Sequence, residues 1–309
     1  MAKSAKKALL LVALQTAQGA AATPSGATDA MLMRNLTSTP ISVEMVERAL
    51  IRPFMGNSGQ IATTEYAQIE GEVELAGSGE AGVTPAWGPL LRACGFSETV
   101  ELDQVVYEPV SGDFESLTLH YFLDGIFHKI TDAKGTVTFN ISAKGIPFMS
   151  FRFMGTYHPL VDQQPPQPIS YEKFVTPLGV NKRNTPEWSL DTYSGCLESL
   201  TADIANNLVW RSLIGCEGSE IVDRAPTGQI SLELPAITDL DWPEIVRKAT
   251  TKKLSITHGR EEGNIVELVI PSAQLTEPSY GESDGVAMLN LNLNLQPGAG
   301  NDEIKIIVR

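Results

Sequence analysis

Two tandem, mainly β domains, each with one short flanking helix, are the architecture this sequence predicts. Three observations carry it: apolar residues recur at period two through much of the chain, three prolines within four residues divide it near the middle, and the second half repeats the first in outline. Length agrees, since 309 residues correspond to about two domains at roughly 150 residues each. Hydrophobic residues make up 42% and charged residues 19%, the balance of a chain that folds rather than one that stays disordered.

Taken in order, the chain opens on Ala8–Leu14, a seven-residue apolar run behind Lys3, Lys6 and Lys7. It imitates a short secretory leader and is equally a buried strand. Thr84 and Pro85 predict a helix start, with Trp87 through Cys94 in the helix and Gly95 as its stop. The run Leu117–Leu123, then Asp124-Gly125, then Ile126–Ile130 predicts a hairpin, because Asp-Gly fits a tight turn with positive φ. Thr136–Ile141 and Met288–Leu295 alternate strictly, the latter with Leu on one face and Asn on the other. Such strands have one packed face and one wet face, the habit of antiparallel sheets. Asp241 and Glu244 form a capping signal for a second short helix over Trp242–Ala249.

The divide lies in Asp162–Pro168, whose prolines cannot join a sheet interior. It sets a first β domain at residues 1–161, a Pro-rich linker at 162–170 and a second β domain at 171–309. The halves overlay in order: Arg52 and Gly56 on Arg211 and Gly215, Trp87 and Arg92 on Trp242 and Arg247, and Gly145–Phe153 on Gly285–Leu293. This predicts an internal duplication.

Catalytic and ligand signals are weak. Gly77–Gly82 fits GxGxxG, but the preceding strand alternates charge where a dinucleotide-binding strand is apolar on both faces, and Pro85 separates the loop from the helix; a plain flexible loop is expected. His120, His128, His158 and His258 show no metal spacing, and Cys94, Cys196 and Cys216 read as free, buried thiols. No cofactor, metal or catalytic residue is predicted. No segment reaches the eighteen or so apolar residues of a membrane span. The net charge of −14, from 23 basic and 37 acidic residues, opposes wrapping of nucleic acid through phosphate contacts. Glu70, Glu72 and Glu74 share one strand face, which must stay wet because the carboxylates repel one another.

The run Glu74–Gly79, then Pro85–Phe96 with its block Trp87-Gly88-Pro89-Leu90-Leu91-Arg92-Ala93-Cys94-Gly95-Phe96, resembles the tail tube proteins of long, flexible-tailed (siphovirus-type) bacteriophages. So do Leu123–Lys129 leading to Lys134–Val137, and Leu197–Leu200 leading to Asp223–Gly228. Thr23–Ala27 before Met33-Arg34-Asn35 resembles that family's first loop and displaces the leader reading. The resemblance implies tail-tube-type β-sandwich or barrel domains, no catalysis, rings that stack into a tube, and a bore that conducts genomic DNA into the host. It implies assembly in the bacterial cytoplasm, residence in the virion, and contact with tape measure, terminator and distal tail proteins.

With two tube folds per chain, three copies complete a pseudo-hexameric ring; with one, six copies do. Twenty-four strands at ~4.8 Å spacing and ~40° tilt close to roughly 50 Å across, which leaves room for a duplex about 20 Å wide. Three chains carry 3 × −14 = −42. Glu70, Glu72 and Glu74, with Glu233 in the second copy, are the candidate bore lining, where double-stranded DNA would pass without sticking. The segments Met55–Tyr66 and Gly215–Pro226 are candidate inter-ring loops, with Gly56, Asn57, Ser58, Gly59, Gln60, Gly215, Glu217 and Gly218 as the stacking residues. The rival expectation is a non-polymerising two-domain β-sandwich adhesin, receptor-binding or tail-end completion protein.

Overall fold

The computed structural model describes residues 2–309. Before the Pro-rich stretch it contains β1 (Ala8–Leu14), β2 (Ala30–Met31), β3 (Arg34–Glu47), β4 (Gln60–Glu74), α1 (Gly88–Arg92), β5 (Phe96–Val100), β6 (Val105–Pro109), β7 (Leu117–Leu123), β8 (Ile126–Ser142), β9 (Phe148–Tyr157) and β10 (Val161–Asp162). After it come β11 (Glu187–Leu190), β12 (Leu197–Asp203), β13 (Asn206–Leu213), β14 (Cys216–Arg224), β15 (Thr227–Glu233), α2 (Trp242–Lys248), β16 (Thr251–His258), β17 (Val266–Ser283), β18 (Val286–Leu295) and β19 (Lys305–Val308). The protein is mainly β with two short helices, and its strand pairs are antiparallel.

Eight strands form one continuous ribbon in the order β3–β4–β9–β8–β12–β15–β18–β17. The ribbon is open, and no closed barrel exists among the described residues. The long strands β8 and β17 also pair, over their N-terminal parts, with a second set of strands. β8 turns from β7 and β10 to β9 and β12 across a register shift near Asp132, which has φ +51°. β17 turns from β16 and β19 to β18 alone. Bulges of this kind bend and twist a strand, so one strand serves two sheets. β1 and β2 extend the sheet beyond β7, and β5 and β6 extend it beyond β19.

The central strands are connected alike on both sides of the Pro-rich stretch, although β5 and β6, between α1 and β7, have no counterpart between α2 and β16. The order β3–β4–β9–β8–β7–β1 is matched by β12–β15–β18–β17–β16–β11, with α1 and α2 following β4 and β15 respectively. The two sets meet where β8 pairs β12 over five residues and where β6 pairs β19. Apolar side chains from both contribute to one core, including Trp87, Phe139, Phe151, Leu200, Ile230 and Leu291.

Local expectations are met at several points. The apolar run of β1 is a strand paired with β7 along its length, and Leu11 is fully buried. Asp124 and Gly125 both take positive φ in the β7–β8 turn. Asp241 accepts a hydrogen bond from the Glu244 backbone N–H at 3.2 Å and so caps α2. Glu244 itself turns to Arg247 and Lys248.

Other expectations are corrected. Thr84 does not cap α1, which starts a turn later at Gly88 with Trp87 in the cap position. The reason is that the Trp87 indole is drawn into the core, where its N–H donates to the Ala76 carbonyl at 2.8 Å. Gly95, at φ +79°, does end the segment. The Gly77–Gly82 loop is packed rather than loose: the Gly77 N–H donates to Asn264 Oδ1 at 2.8 Å, and a Cβ at Gly77 would strike the Gly263 carbonyl. Of the three free thiols only Cys94 is buried; Cys196 and Cys216 are exposed.

Two predictions follow from packing. Phe139 is 1% exposed on the inner face of β8, and Phe139→Ala should cost about 3–5 kcal/mol in urea unfolding, as for other buried aromatic truncations. Burial, with help from Lys129 and His158, lowers the His120 pKa to about 4, whereas a free imidazole titrates near about 6.5. The unfolded chain therefore binds more protons between those values, and the thermal midpoint should fall as pH drops through that window; below it the carboxyl groups of Asp124, Glu198, Glu244 and Asp302, whose pKa values are lowered in the folded chain, extend the fall. His120→Phe should remove part of that slope, with the remainder left to His128, His158 and His258, whose pKa values burial also lowers.

Candidate functional site

Directly opposed residues on neighbouring strands share a face, so the register traces each row across the ribbon. One row runs Glu74, Phe148, Asn140, Thr201, Gln229, Asn292, Thr276. The next, two residues along β4, runs Glu72, Ser150, Thr138, Asp203, Thr227, Asn294, Gln274. Glu70 stands opposite Arg152, and Glu233 lies four residues beyond Gln229 on β15. By the alternation of strands, the four expected glutamates therefore share one face of the ribbon. The opposite face carries Ile69, Val73, Phe151, Phe139, Ile230 and Leu291, all buried.

The polar face is built of carboxylates, amides and hydroxyls, with few cations. Glu72 accepts hydrogen bonds from Arg34 Nε at 2.8 Å and from Asn35 Nδ2 at 3.0 Å. The Arg34 guanidinium lies 4.2 Å from the centroid of the Phe148 ring. Asn35, Thr37, Glu70, Glu72, Arg152 and Asp203 line an open groove on this face. Asp203, Arg34 and Arg152 belong to the same surface, yet sequence reasoning passed over them. Arg152 was signalled by the alternation Phe151-Arg152-Phe153, and Asp203 by Thr201-Ala202-Asp203, but only the register across β8 and β12 brings them together. Glu70, Glu72, Glu74, Asp203 and Glu233 outnumber the two arginines, so the face is net acidic. Among the described residues no group of His, Cys, Asp or Glu is placed to hold a metal ion.

The expected stacking loops are shorter than the sequence suggested. Gly56–Gly59 do lie in the turn between β3 and β4, where Ile51 and Met55 are fully exposed. Gln60–Tyr66 are strand, paired with Ser42–Glu47. Gly215, at φ +98°, sits in the β13–β14 turn beside fully exposed Ile214, while Glu217 and Gly218 belong to β14. The β-branched and aromatic residues Ile61, Thr63, Thr64 and Tyr66 explain why the first segment extends as strand.

The β13–β14 hairpin stands apart from the main sheet and is laid against the first half. Lys134, nearly buried, pairs with Glu220 at 2.7 Å, and Ser219 donates to the Asp132 carbonyl at 2.7 Å. Trp210 stacks on Tyr66 at 5.6 Å and donates to Thr64 Oγ1 at 2.8 Å. The distal part of the β3–β4 hairpin has no comparable cover over its exposed Met45, Val46 and Ile61.

A family model described as phage tail tube protein matches residues 5–297. A search of curated proteins finds no match to the chain.

Proposed function

The chain belongs to the phage tail tube protein family, and from that footing we propose that it is the repeating subunit of a siphovirus-type tail tube whose stacked rings enclose an acidic bore for genomic DNA. The observation that carries the proposal is the eight-stranded ribbon, with a largely polar, net acidic face on one side and the core on the other. A ribbon of this kind has unsatisfied backbone groups at both ends, and closure with further copies satisfies them. Lining the bore with Glu70, Glu72, Glu74 and Glu233 repels phosphate. Arg34 and Arg152 moderate the field without making a cluster that would hold the duplex. Only lining charges act, because salt screens beyond about 10 Å.

The matched connectivity on either side of residues 162–170 supports an internal duplication, hence three copies and twenty-four strands to a pseudo-hexameric ring. Glu74 and Glu233, which end β4 and β15, are then equivalent. The register sets Thr201 against Thr37. The turn between β3 and β4 is longer than Ile214-Gly215, so the offset between the halves changes across it; Arg211 lies in β13 before its turn whereas Arg52 lies within the β3–β4 turn, and the register does not pair these two. The Trp87–Phe96 block supports the long-tailed type, and the tape measure, terminator and distal tail proteins are the further partners.

Electron microscopy of the concentrated protein tests the reading: open-centred rings or tubes with three- or sixfold modulation are expected, and compact particles at every concentration count against it. In virions that assemble normally, the triple change Glu70→Lys, Glu72→Lys, Glu74→Lys should slow DNA ejection, measured by dye uptake; unchanged kinetics would remove these residues from the bore. Deleting Asn57–Gln60, at an exposed tip, should leave a folded subunit by circular dichroism that no longer polymerises in sedimentation assays.

A further inference from the structure

The chain contains, within itself, one example of how tube units join: Ser142, Ile141, Asn140, Phe139 and Thr138 of β8 face Ser199, Leu200, Thr201, Ala202 and Asp203 of β12. The corresponding edges at the two ends of the ribbon are unpaired among the described residues. Beyond Leu275, β17 has β18 on one side and nothing on the other, and β3 has only β4. The registers identify which residues correspond. Glu74 faces Phe148, which faces Asn140; Glu233 faces Met288, which faces Gly281. Thr138 then matches Ser279, and Ser142 matches Ser283. On the other side, Thr201 faces Gln229, four residues before Glu233, and Thr37 faces Glu70, four residues before Glu74. Asp203 matches Thr39 in the same way.

We propose that Ser279–Gly281 of one copy pairs antiparallel with Thr37–Thr39 of the next, Ser279 opposite Thr39 and Gly281 opposite Thr37, repeating that part of the internal β8–β12 seam; the register shift between Arg34 and Thr37, with Asn35 at φ +51°, ends the regular match there. The inference rests on the ring reading and adds to it the two strands, the direction and the register. Burial supports it independently. Phe139, at the internal seam, is 1% exposed, whereas its counterpart Tyr280 is 69% exposed in the single chain. Leu200 is buried at 1%, whereas its counterpart Leu36 is half-buried. Prolines bound both free windows, Pro278 directly before Ser279 and Pro40 directly after Thr39. A proline gives no ladder donor, and because Ser279 stands opposite Thr39 the two prolines fall at the same end of the pairing and close it there. The operation that maps one seam on the other also lays the uncovered distal β3–β4 hairpin, with Met45, Val46 and Ile61, over β17 and β18 of the neighbour, as β13–β14 lies over β8 and β9.

Cysteine cross-linking reads the register. In a chain carrying Cys196→Ser and Cys216→Ser, which removes the exposed thiols, Ser279→Cys with Thr39→Cys should give, on mild oxidation of assembled protein, a ladder of linked chains ending at the ring's copy number. Ser279→Cys with Thr37→Cys is two residues out of register, too far for the short Cβ separation a disulfide needs, and should not link. Thr138→Cys with Asp203→Cys calibrates the oxidation within one chain. Rings by microscopy without the in-register link, or with equal linking out of register, overturn the seam and leave the tube reading standing. Neither rings nor links at any concentration overturns both. A second variant, Tyr280→Asp, should keep the unfolding midpoint of the single chain and lose ring formation; rings that persist would also overturn the seam.

Discussion

The five-residue pairing of β8 with β12 is the contact on which the rest of the molecule depends. Without it the two four-stranded stretches β3–β4–β9–β8 and β12–β15–β18–β17 would each expose a further open edge, with backbone N–H and C=O groups unpaired. With it, a largely polar row, broken only by Phe148, runs across seven strands from Glu74 to Thr276, and the apolar side of both stretches faces a common core. The contact also fixes where Asp203 sits relative to Glu72, so the backbone register sets the spacing of charges on the polar face.

The alternation along each strand then does two jobs at once. Leu289, Leu291 and Leu293 are buried, while Asn290, Asn292 and Asn294 share the face of Glu74. A one-residue slip would exchange these faces, putting amides and carboxylates into the core. The slip is therefore strongly disfavoured, and the same pattern that stabilises the subunit sets the chemistry of the polar surface. Its residues are mostly uncharged hydrogen-bonding groups interspersed with carboxylates, which hold water well and offer a polyanion no clustered cations.

Much of this was legible in the sequence because it is local. Period-two alternation marked β18 and the C-terminal part of β8, Asp124-Gly125 marked its hairpin, Asp241 marked α2, and the shared face of Glu70, Glu72 and Glu74 needs only the strand's geometry. What escaped was non-local. The start of α1 is set by where Trp87 finds a buried carbonyl. The Gly77–Gly82 loop is held by Asn264 and Gly263, almost two hundred residues away. Thr64 and Tyr66 follow a Gly- and Asn-containing stretch that predicts a loop, yet they are strand and receive Trp210 from the second half. The resemblance carried by Trp87–Phe96 needs none of these contacts, since that block is conspicuous as sequence whatever its neighbours.

The two ends of the ribbon pose a problem of opposite demands. An open edge must accept a correct partner and refuse others, because flat unpaired strands invite indiscriminate pairing. Several features of this chain narrow the choice. Pro40 and Pro278 interrupt the donors, the register shifts in β3 and at Thr276–Ser279 bend the edges, and Arg34 is already engaged by Glu72. A partner must match a short window, in one direction, while offering an arm to cover the exposed apolar residues beside it. A single short pairing is a weak contact between separate chains, since it must overcome the loss of translational and rotational freedom. Closing a ring makes the last pairing intramolecular, and that gain in effective concentration favours a complete ring over an open chain of subunits. Weak, tightly specified edges are thus compatible both with an unassembled subunit and with a closed ring built from the same strands.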